Sequence, residues 1–468
     1  MTATLTETPT ETLNDRLAAS VAATHSTTMP RGAFDDWWHE RWRAGSFQVD
    51  RIPFAGLDGW SFAPDTGNLV HRSGRFFTVE GLDVDDGTRT WNQPIIDQPE
   101  VGILGILVKE FDGVLHALMQ AKMEPGNSNL LQLSPTVQAT RSNYSRVHQG
   151  TSVNYLEYFA GTGRARVLAD ALQSEHGSWF LHKRNRNMVV ETTDDVPEHE
   201  DFRWLTLGQI GELLRRDNLV NMDARSALSL LPLHRTAPPT DEFGTALADS
   251  MTGAGSVHGI RDILTWINDL RALSDLRTTR VPLRRLGSWR RTAERIHQED
   301  ERFFDVIAVA VRAGNREVTG WTQPLFAPRG PGVVAFVVRR IAGVLHVLAA
   351  ARTEAGFRDT VELGPTVQCV PGNHPGTPPP FLDYVLSARP DQIRYDAILS
   401  EEGGRFYHSD SRYLVVEAGE EAEEQDGFRW TTLHQFTELL SHTHYVSVQA
   451  RSLLACLGLA CPAPSFTP

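Results

Sequence analysis

The sequence has few cysteines, no long apolar run and no excess of positive charge. Three cysteines occur in 468 residues, with no Cys-x-x-Cys pair, so neither a disulfide framework nor a cysteine-bound zinc is indicated. The longest apolar runs are about eight residues, whereas a membrane-spanning helix needs roughly 20. Lys and Arg number 45 and Asp and Glu 58, giving a net charge of −13, and a chain of that sign repels a phosphate backbone. The amino terminus lacks the basic start and apolar stretch of a signal peptide. We therefore expect a cytoplasmic protein that binds neither nucleic acid nor membrane.

Several catalytic motifs are also missing. There is no Gly-x-Ser-x-Gly element and no phosphate-binding loop, which argues against an α/β-hydrolase and a P-loop enzyme. His442 and His444, and the histidine within residues 198–200, lack the helical spacing of zinc ligands. We expect no metal ion.

An internal repeat organises the chain. The motif Trp-x-Gln-Pro at residues 91–94 returns at 321–324, and Gly-Val-Leu-His at 113–116 returns at 343–346, both 230 positions later. Pro-Thr-Val-Gln, Phe-Arg-Trp and Ala-Arg-Ser recur in the same order. A unit of roughly 200 residues is therefore duplicated. We predict a flexible arm (residues 1–30), a first repeat (31–232), a linker (233–256) and a second repeat (257–462).

Each repeat mixes strand and helix signals. Apolar runs at 101–108 and 114–119 flank Asp112-Gly113, which predicts a hairpin, and residues 333–339 and 344–348 repeat the pattern. Alternation predicts strands at 180–191 and 406–417. Apolar residues at helical spacing predict helices at 207–216, 223–231, 433–442 and 449–457. The fold class is α+β, with mixed or antiparallel sheets and flanking helices.

A polar segment after the first hairpin, residues 121–158, is the main candidate site. Its dense donors, acceptors and aromatics suit a sugar, although such a composition also suits a loop that caps itself. The second repeat loses the Thr-Arg-Ser-Asn-Tyr run and becomes rich in Pro and Gly over residues 370–380. We interpret the unshared run as the part specialised for function in the first repeat.

Longer motifs give a family resemblance. QPIIDQPE at residues 93–100, LMQAK at 118–122, EPGN at 124–127, LSPTVQATRSNY at 133–144 and NMDARS at 221–226 resemble the NDP-hexose 2,3-dehydratases of deoxysugar pathways. The resemblance implies two Nudix-like domains per subunit, a homodimer, and dTDP-4-keto-6-deoxy-D-glucose as substrate. The sequence lacks the Nudix box, so we expect neither catalytic Mg²⁺ nor pyrophosphate hydrolysis.

The implied reaction assigns roles by residue type. Catalysis is expected from Glu124, Tyr144 and His148 as acids or bases and from Lys122 as the group that polarises the ketone. The reaction needs no redox cofactor. The expected substrate-binding residues, spread over both repeats, are Trp60, Thr140, Arg141, Ser142, Asn143, Tyr144, Glu157, Arg225, Trp289, Arg352, Thr366, Gln368, Arg412 and Arg451.

The second repeat is expected to hold a degenerate pocket that binds without turnover or that only supports the dimer. Arg225, Arg451, Trp60 and Trp289 could equally be structural residues. Two other functions remain open, a non-catalytic nucleotide-sugar-binding or regulatory protein and a divergent Nudix hydrolase. A downstream 3-ketoreductase is the expected consumer of the product.

Overall fold

The computed structural model describes residues 12–140, 153–232, 241–314, 318–374 and 376–461. The fold is a mixture of helices and sheets, as predicted. None of the helices in the described ranges combines the length and apolar character needed to cross a membrane. The helices, in chain order from α1 to α9, are Leu13–Ala22, Ala33–Ala44, Leu207–Leu213, Met222–Leu228, Glu242–Ser250, Ile260–Ala272, Leu382–Leu386, Leu433–Leu440 and Val448–Ala460.

Strands make up most of the two repeats. In the first repeat, β1 to β12 are Phe47–Ile52, Trp60–Phe62, Leu69–His71, Thr78–Asp85, Thr90–Asp97, Gly102–Phe111, Val114–Met123, Leu131–Ser134, Val137–Ala139, Arg166–Ser174, Arg184–Glu191 and Phe202–Thr206. In the second, β13 to β24 are Arg277–Val281, Trp289–Arg291, Arg295–Gln298, Phe304–Ala313, Gly320–Pro328, Gly332–Ile341, Val344–Thr353, Val361–Gly364, Val367–Cys369, Ile393–Ser400, Asp410–Glu417 and Phe428–Thr431.

The predicted hairpins and helices are confirmed. Strands β6 and β7 pair antiparallel around Asp112-Gly113, and both turn residues have positive φ, 51° and 78°, as a tight hairpin turn requires. Helices α3, α4, α8 and α9 lie at the four predicted positions. In the polar segment that follows the first hairpin, residues 131–134 and 137–139 form β8 and β9, so polar side chains such as Gln132 and Gln138 lie on the sheet.

Two seven-stranded sheets have the same strand order. The first runs β10-β11-β6-β7-β12, with β8 on β7 and β9 on β6, and the second runs β22-β23-β18-β19-β24, with β20 on β19 and β21 on β18. In each sheet one pair is parallel, β6 with β11 and β18 with β23, so both sheets are mixed. Equivalent positions of the two repeats therefore occupy equivalent places in the two sheets.

The repeats exchange strands in two smaller sheets. β1 of the first repeat pairs with β16 of the second, with Phe47 opposite Ala313. In return, β13 of the second repeat pairs with β4 of the first, with Arg277 opposite Asp85. The ladder hydrogen bonds of β1 and β13 and their partly buried apolar side chains thus tie the halves together. A continuous apolar core, which includes residues of both repeats, fills the space between them.

Two loops also cross between the halves, and each meets a glycine. The loop after β22 reaches the first repeat, where Gly126 N donates to Gly403 O (2.8 Å). The loop after β10 makes the equivalent contact in the second repeat, where Gly356 N donates to Gly177 O (2.7 Å). A Cβ on Gly126 would lie 1.7 Å from the Phe406 carbonyl oxygen. Only glycine permits this close approach.

Candidate active site

An ion pair between a buried glutamate and a partly buried lysine lies at the end of β7. Lys122 is near the end of β7, and its Nζ lies 3.2 Å from Glu124 Oε1. Gln138, on β9, donates from Nε2 to the same oxygen (2.9 Å). The side chain of Glu124 is 8% exposed and that of Lys122 17%. The sheet therefore brings together two predicted catalytic residues, and Gln138 fixes the carboxylate.

The crossing loop of the second repeat brings Glu402 to this ion pair. A Cβ placed on Gly404 would lie 3.4 Å from Glu402 Oε1 and 3.9 Å from Glu124 Oε1, so the two carboxylates flank that glycine. Arg405 follows in the loop and donates from Nε to Gln98 Oε1 (3.0 Å). Residues of both halves therefore form one site.

Burial strongly perturbs two carboxyl groups of this site. It raises the pKa of Glu402 to about 7, opposed by Arg405 and reinforced by Glu175 and Glu124. It also raises the pKa of Asp223 well above its usual value, and the charges of Glu402, Glu175 and Glu124 add to that effect. Carboxyl groups with raised pKa values can exchange protons near neutral pH.

The charges of the site are mixed. Glu175 is buried, with Oε1 accepting from Asn185 Nδ2 (2.8 Å), while its Oε2 has no hydrogen-bond partner among the described residues. Lys183 donates to the carbonyl of Glu100, and burial lowers the pKa of Lys183. Across the described ranges, no group of three or more His, Cys, Asp or Glu side chains has the arrangement that could hold a metal ion.

The second repeat has a counterpart of this site. Gln368 Nε2 donates to Glu354 Oε1 (2.9 Å), and Ser178 N, from the first repeat, donates to Glu354 Oε2 (2.9 Å). Arg352 replaces the lysine, and its Nε has no partner among the described residues. His176 Nε2 lies 2.7 Å from Glu401 Oε2.

A cavity of about 460 Å³ opens at this second site. Its walls come from both repeats and include Trp91, Gln93 and His176 from the first and Trp289, Arg352 and Gln368 from the second. A neighbouring space of about 600 Å³ shares Trp91, Gln93 and Arg352. Three predicted binding residues, Trp289, Arg352 and Gln368, therefore line one cavity.

Other predicted binding residues lie elsewhere or have structural contacts. Arg225 and Arg451 are fully buried. Arg225 donates to the carbonyl oxygens of Val220 (2.6 Å) and Ser400 (2.7 Å). Arg451 donates to those of Val446 (2.8 Å) and Ser174 (2.7 Å). Because main-chain carbonyls occupy their donors, we assign both arginines to the contact between the halves and leave them out of the binding set.

Four more residues of the binding set have local partners. Trp60 is buried against Phe77, with ring centroids 4.8 Å apart. Thr366 bridges the main chain, accepting from Val337 N (2.9 Å) and donating to Leu348 O (2.5 Å). Arg412 forms two hydrogen bonds with Asp396, and half-exposed Glu157 lies 3.6 Å from Arg164.

The remaining predictions fall on or beside residues 141–152. Thr140 is partly buried directly after β9. Arg141, Ser142, Asn143, Tyr144 and His148 lie outside the described residues.

Sequence reasoning missed Glu402, Asp223 and Glu175. The first two could have been found by the comparison of repeats that selected residues 140–144. In that comparison Asp223 is aligned with Gln449, and Glu402 with His176, so the residue type differs at both positions. Both pairs lie among residues that the repeats share.

Comparison of the sequence with known families assigns the chain to a class of protein. The family model described as NDP-hexose 2,3-dehydratase matches the chain twice, over residues 31–231 and 260–457. The chain belongs to this family.

Three relatives carry the same name, dTDP-4-dehydro-6-deoxy-alpha-D-glucopyranose 2,3-dehydratase. The chain is 53% identical to the protein from Amycolatopsis orientalis, covering 96% of this chain and 95% of the relative. It is 52% identical to the one from Saccharopolyspora spinosa, covering 94% of each. It is 50% identical to the one from Streptomyces violaceoruber, covering 91% of this chain and 96% of the relative.

Proposed function

We propose that the protein removes water across carbons 2 and 3 of dTDP-4-keto-6-deoxy-D-glucose and forms a dTDP-3,4-diketo-2,6-dideoxy sugar. The names of the three relatives support this substrate. The observation that carries the proposal is the joining of a buried lysine–glutamate pair with carboxyl groups of raised pKa in one site.

The chemistry requires a base, an acid and a cation. The carbon 3 hydrogen is acidic because its removal gives an enolate with the neighbouring ketone. The enolate then expels the carbon 2 hydroxyl, which leaves as water once an acid protonates it. The enol that remains tautomerises to the diketone. A positioned base or acid contributes typically 10²–10⁴-fold, and a donor at the ketone oxygen stabilises the developing charge.

The site at the end of β7 carries this reaction. Lys122 polarises the ketone, and Glu124 orients that ammonium group through the 3.2 Å contact. Tyr144 and His148 remain predicted acids or bases, and Thr140, Arg141, Ser142 and Asn143 remain predicted to hold the hydroxyls or the phosphates.

The second repeat binds a nucleotide sugar without converting it. A cavity of about 460 Å³ is large enough for a compact ligand. Arg352 suits a diphosphate because a guanidinium matches phosphate oxygens, and Trp289 and Gln368 complete the wall. The equivalent strand orders of the two sheets support a duplicated unit; the Nudix-like fold of each unit and the boundaries stated above stay predictions. The homodimer, the 3-ketoreductase and the cytoplasmic location stay predictions.

Two sets of variants test the division of labour. Lys122→Met, Glu124→Gln and Tyr144→Phe should each lower kcat for water loss by roughly 100-fold or more. Arg352→Met and Gln368→Ala should weaken binding of the dTDP sugar at a second site, seen by calorimetry, and lower kcat far less. Equal loss of turnover from both sets, with binding intact, would contradict a single catalytic site.

A further inference from the structure

The two crossing loops are equivalent, so their differences can be assigned to the sites they enter. The loop at 400–413 aligns with that at 174–187 without a gap. Gly403 and Gly177 occupy matching positions, and each accepts a hydrogen bond from a glycine of the opposite half. Ser400 and Ser174 also match, and each carbonyl is bound by a buried arginine. The main chain of the two loops therefore makes equivalent hydrogen bonds to the opposite half.

Side chains at two positions break this equivalence. Glu402 lies in the loop that enters the first site. The equivalent residue in the loop that enters the second site is His176. Asp223, on α4, has Gln449 as its twin on α9. The neighbouring Ala-Arg-Ser is identical in the two helices. The first site thus holds two carboxyl groups where the second holds an imidazole and an amide.

Neither of these two carboxyl groups is used in a hydrogen bond that holds the fold together among the described residues. Among the described residues, no donor forms a hydrogen bond to the side chain of Glu402 or of Asp223, whereas Glu124 is held by Gln138. In the same site, Oε2 of buried Glu175 has no hydrogen-bond partner among the described residues. Because a buried oxygen without a partner is costly, this atom can accept a hydrogen bond from a bound ligand. A substrate rich in hydroxyl groups supplies such donors.

We propose that Glu402 and Asp223 form the proton-transfer pair of the first site, with Glu402 acting as base toward carbon 3 and Asp223 as acid toward the carbon 2 hydroxyl. This assignment rests on the proposed function and extends it, because one half of the catalytic pair comes from the second repeat.

The proton count closes without another reagent. Glu402 carboxylate takes the carbon 3 proton, and the electron pair of that bond forms the enolate. The carbon 2–oxygen bond then breaks, and Asp223 gives its proton to the departing hydroxide. During tautomerisation, protonated Glu402 delivers a proton to carbon 2 while Asp223 carboxylate accepts the enol proton. Both groups return to their starting states.

The electrostatics of the site favour these starting states. Burial raises the pKa of Glu402 to about 7, so a large fraction is ionised at neutral pH. The groups that act on Glu402 are Arg405, Glu175, Glu124 and Lys183. Burial raises the pKa of Asp223 well above its usual value, the charges of Glu402, Glu175 and Glu124 reinforce that shift, and Lys122 opposes it, so the site favours the protonated form of Asp223. The negative charge of Glu402 thus disfavours ionisation of Asp223.

Partial reactions in D₂O separate the two roles. Glu402→Gln should abolish both deuterium incorporation at carbon 3 and water loss, lowering each by at least roughly 100-fold. Asp223→Gln inserts the side chain that the second repeat holds at its equivalent position. It should slow water loss similarly yet still exchange the carbon 3 hydrogen, because the base is intact. Mass spectrometry and proton NMR of dTDP-4-keto-6-deoxy-D-glucose report both events.

Controls keep the result interpretable. Glu438→Gln changes a half-exposed carboxylate on α8 and should leave kcat unchanged. Glu402→Asp retains a carboxylate and should recover part of the exchange that Glu402→Gln loses. If Glu402→Gln exchanges carbon 3 normally, or if Asp223→Gln loses water at the wild-type rate, the pair is wrong although the dehydratase assignment stands. If the wild-type protein loses no water from the sugar, the proposed function itself fails.

Discussion

Gly126→Ala is predicted to disturb stability and catalysis together. The added methyl group would lie 1.7 Å from the Phe406 carbonyl oxygen and 2.6 Å from that of Gly403. Both atoms are main chain, so no side-chain rotation relieves the overlap. The crossing loop must retreat until the separation reaches ordinary contact, and the hydrogen bonds from Gly126 N to Gly403 O (2.8 Å) and from His408 N to Gly126 O (2.7 Å) break.

The cost follows from these contacts. Overpacking at a rigid site costs typically about 1–3 kcal/mol, and each buried hydrogen bond lost costs about 1 kcal/mol. We therefore expect a loss of roughly 4 kcal/mol in the free energy of unfolding. Because Glu402 is one residue from Gly403, the same displacement moves it from Glu124, and kcat should fall by at least roughly tenfold.

The repeat supplies a matched variant. Gly356→Ala would place its Cβ 1.8 Å from the Phe180 carbonyl oxygen, so it should cost a similar amount of stability while moving the loop of the second site. Gly287→Ala, which meets no atom within 4 Å, is the control. Urea unfolding measures stability, and kcat is measured on folded protein well below the transition. Wild-type stability for Gly126→Ala, or equal kcat losses for the Gly126 and Gly356 variants, would refute the reasoning.

Three further outcomes are expected. Arg225→Leu should destabilise the protein by about 3 kcal/mol in urea unfolding, because buried carbonyl oxygens such as that of Ser400 lose a charged donor; a change below 1 kcal/mol would contradict the structural role. Burial raises the pKa of Glu362 to about 7, so the folded state binds an extra proton, and this contribution to stability is lost as pH rises from about 4.5 through 7. Glu362→Gln should flatten the dependence of the free energy of unfolding on pH in this range. An unchanged slope in the variant would contradict the raised pKa. The profile of kcat/KM against pH should rise through the pKa of Glu402 and fall once Asp223 ionises; an ascending limb that survives in Glu402→Gln would assign that limb to another group.

The sequence alone determined the family, two hairpins and four of the helices. The hairpin at Asp112-Gly113 needs only a turn with two positive φ angles and apolar flanks, and helices α3 and α8 need only apolar residues at helical spacing. These signals are short in range, so they can be read from neighbouring residues. The long motifs at 93–144 and 221–226 likewise identified the dehydratase family, and the catalytic roles of Lys122 and Glu124 stay predictions drawn from that resemblance.

Only the tertiary structure decided which distant residues meet. Glu402 lies 278 positions after Glu124, and no local sequence pattern predicts that they meet. They are brought together by the crossing loop, which is held by its contact with Gly126. Arg225 and Arg451 look the same in sequence whether they bind a ligand or a carbonyl, and packing assigned them to the carbonyls. The register of a sheet and the path of a crossing loop depend on contacts throughout the core, and a short sequence motif does not specify those contacts.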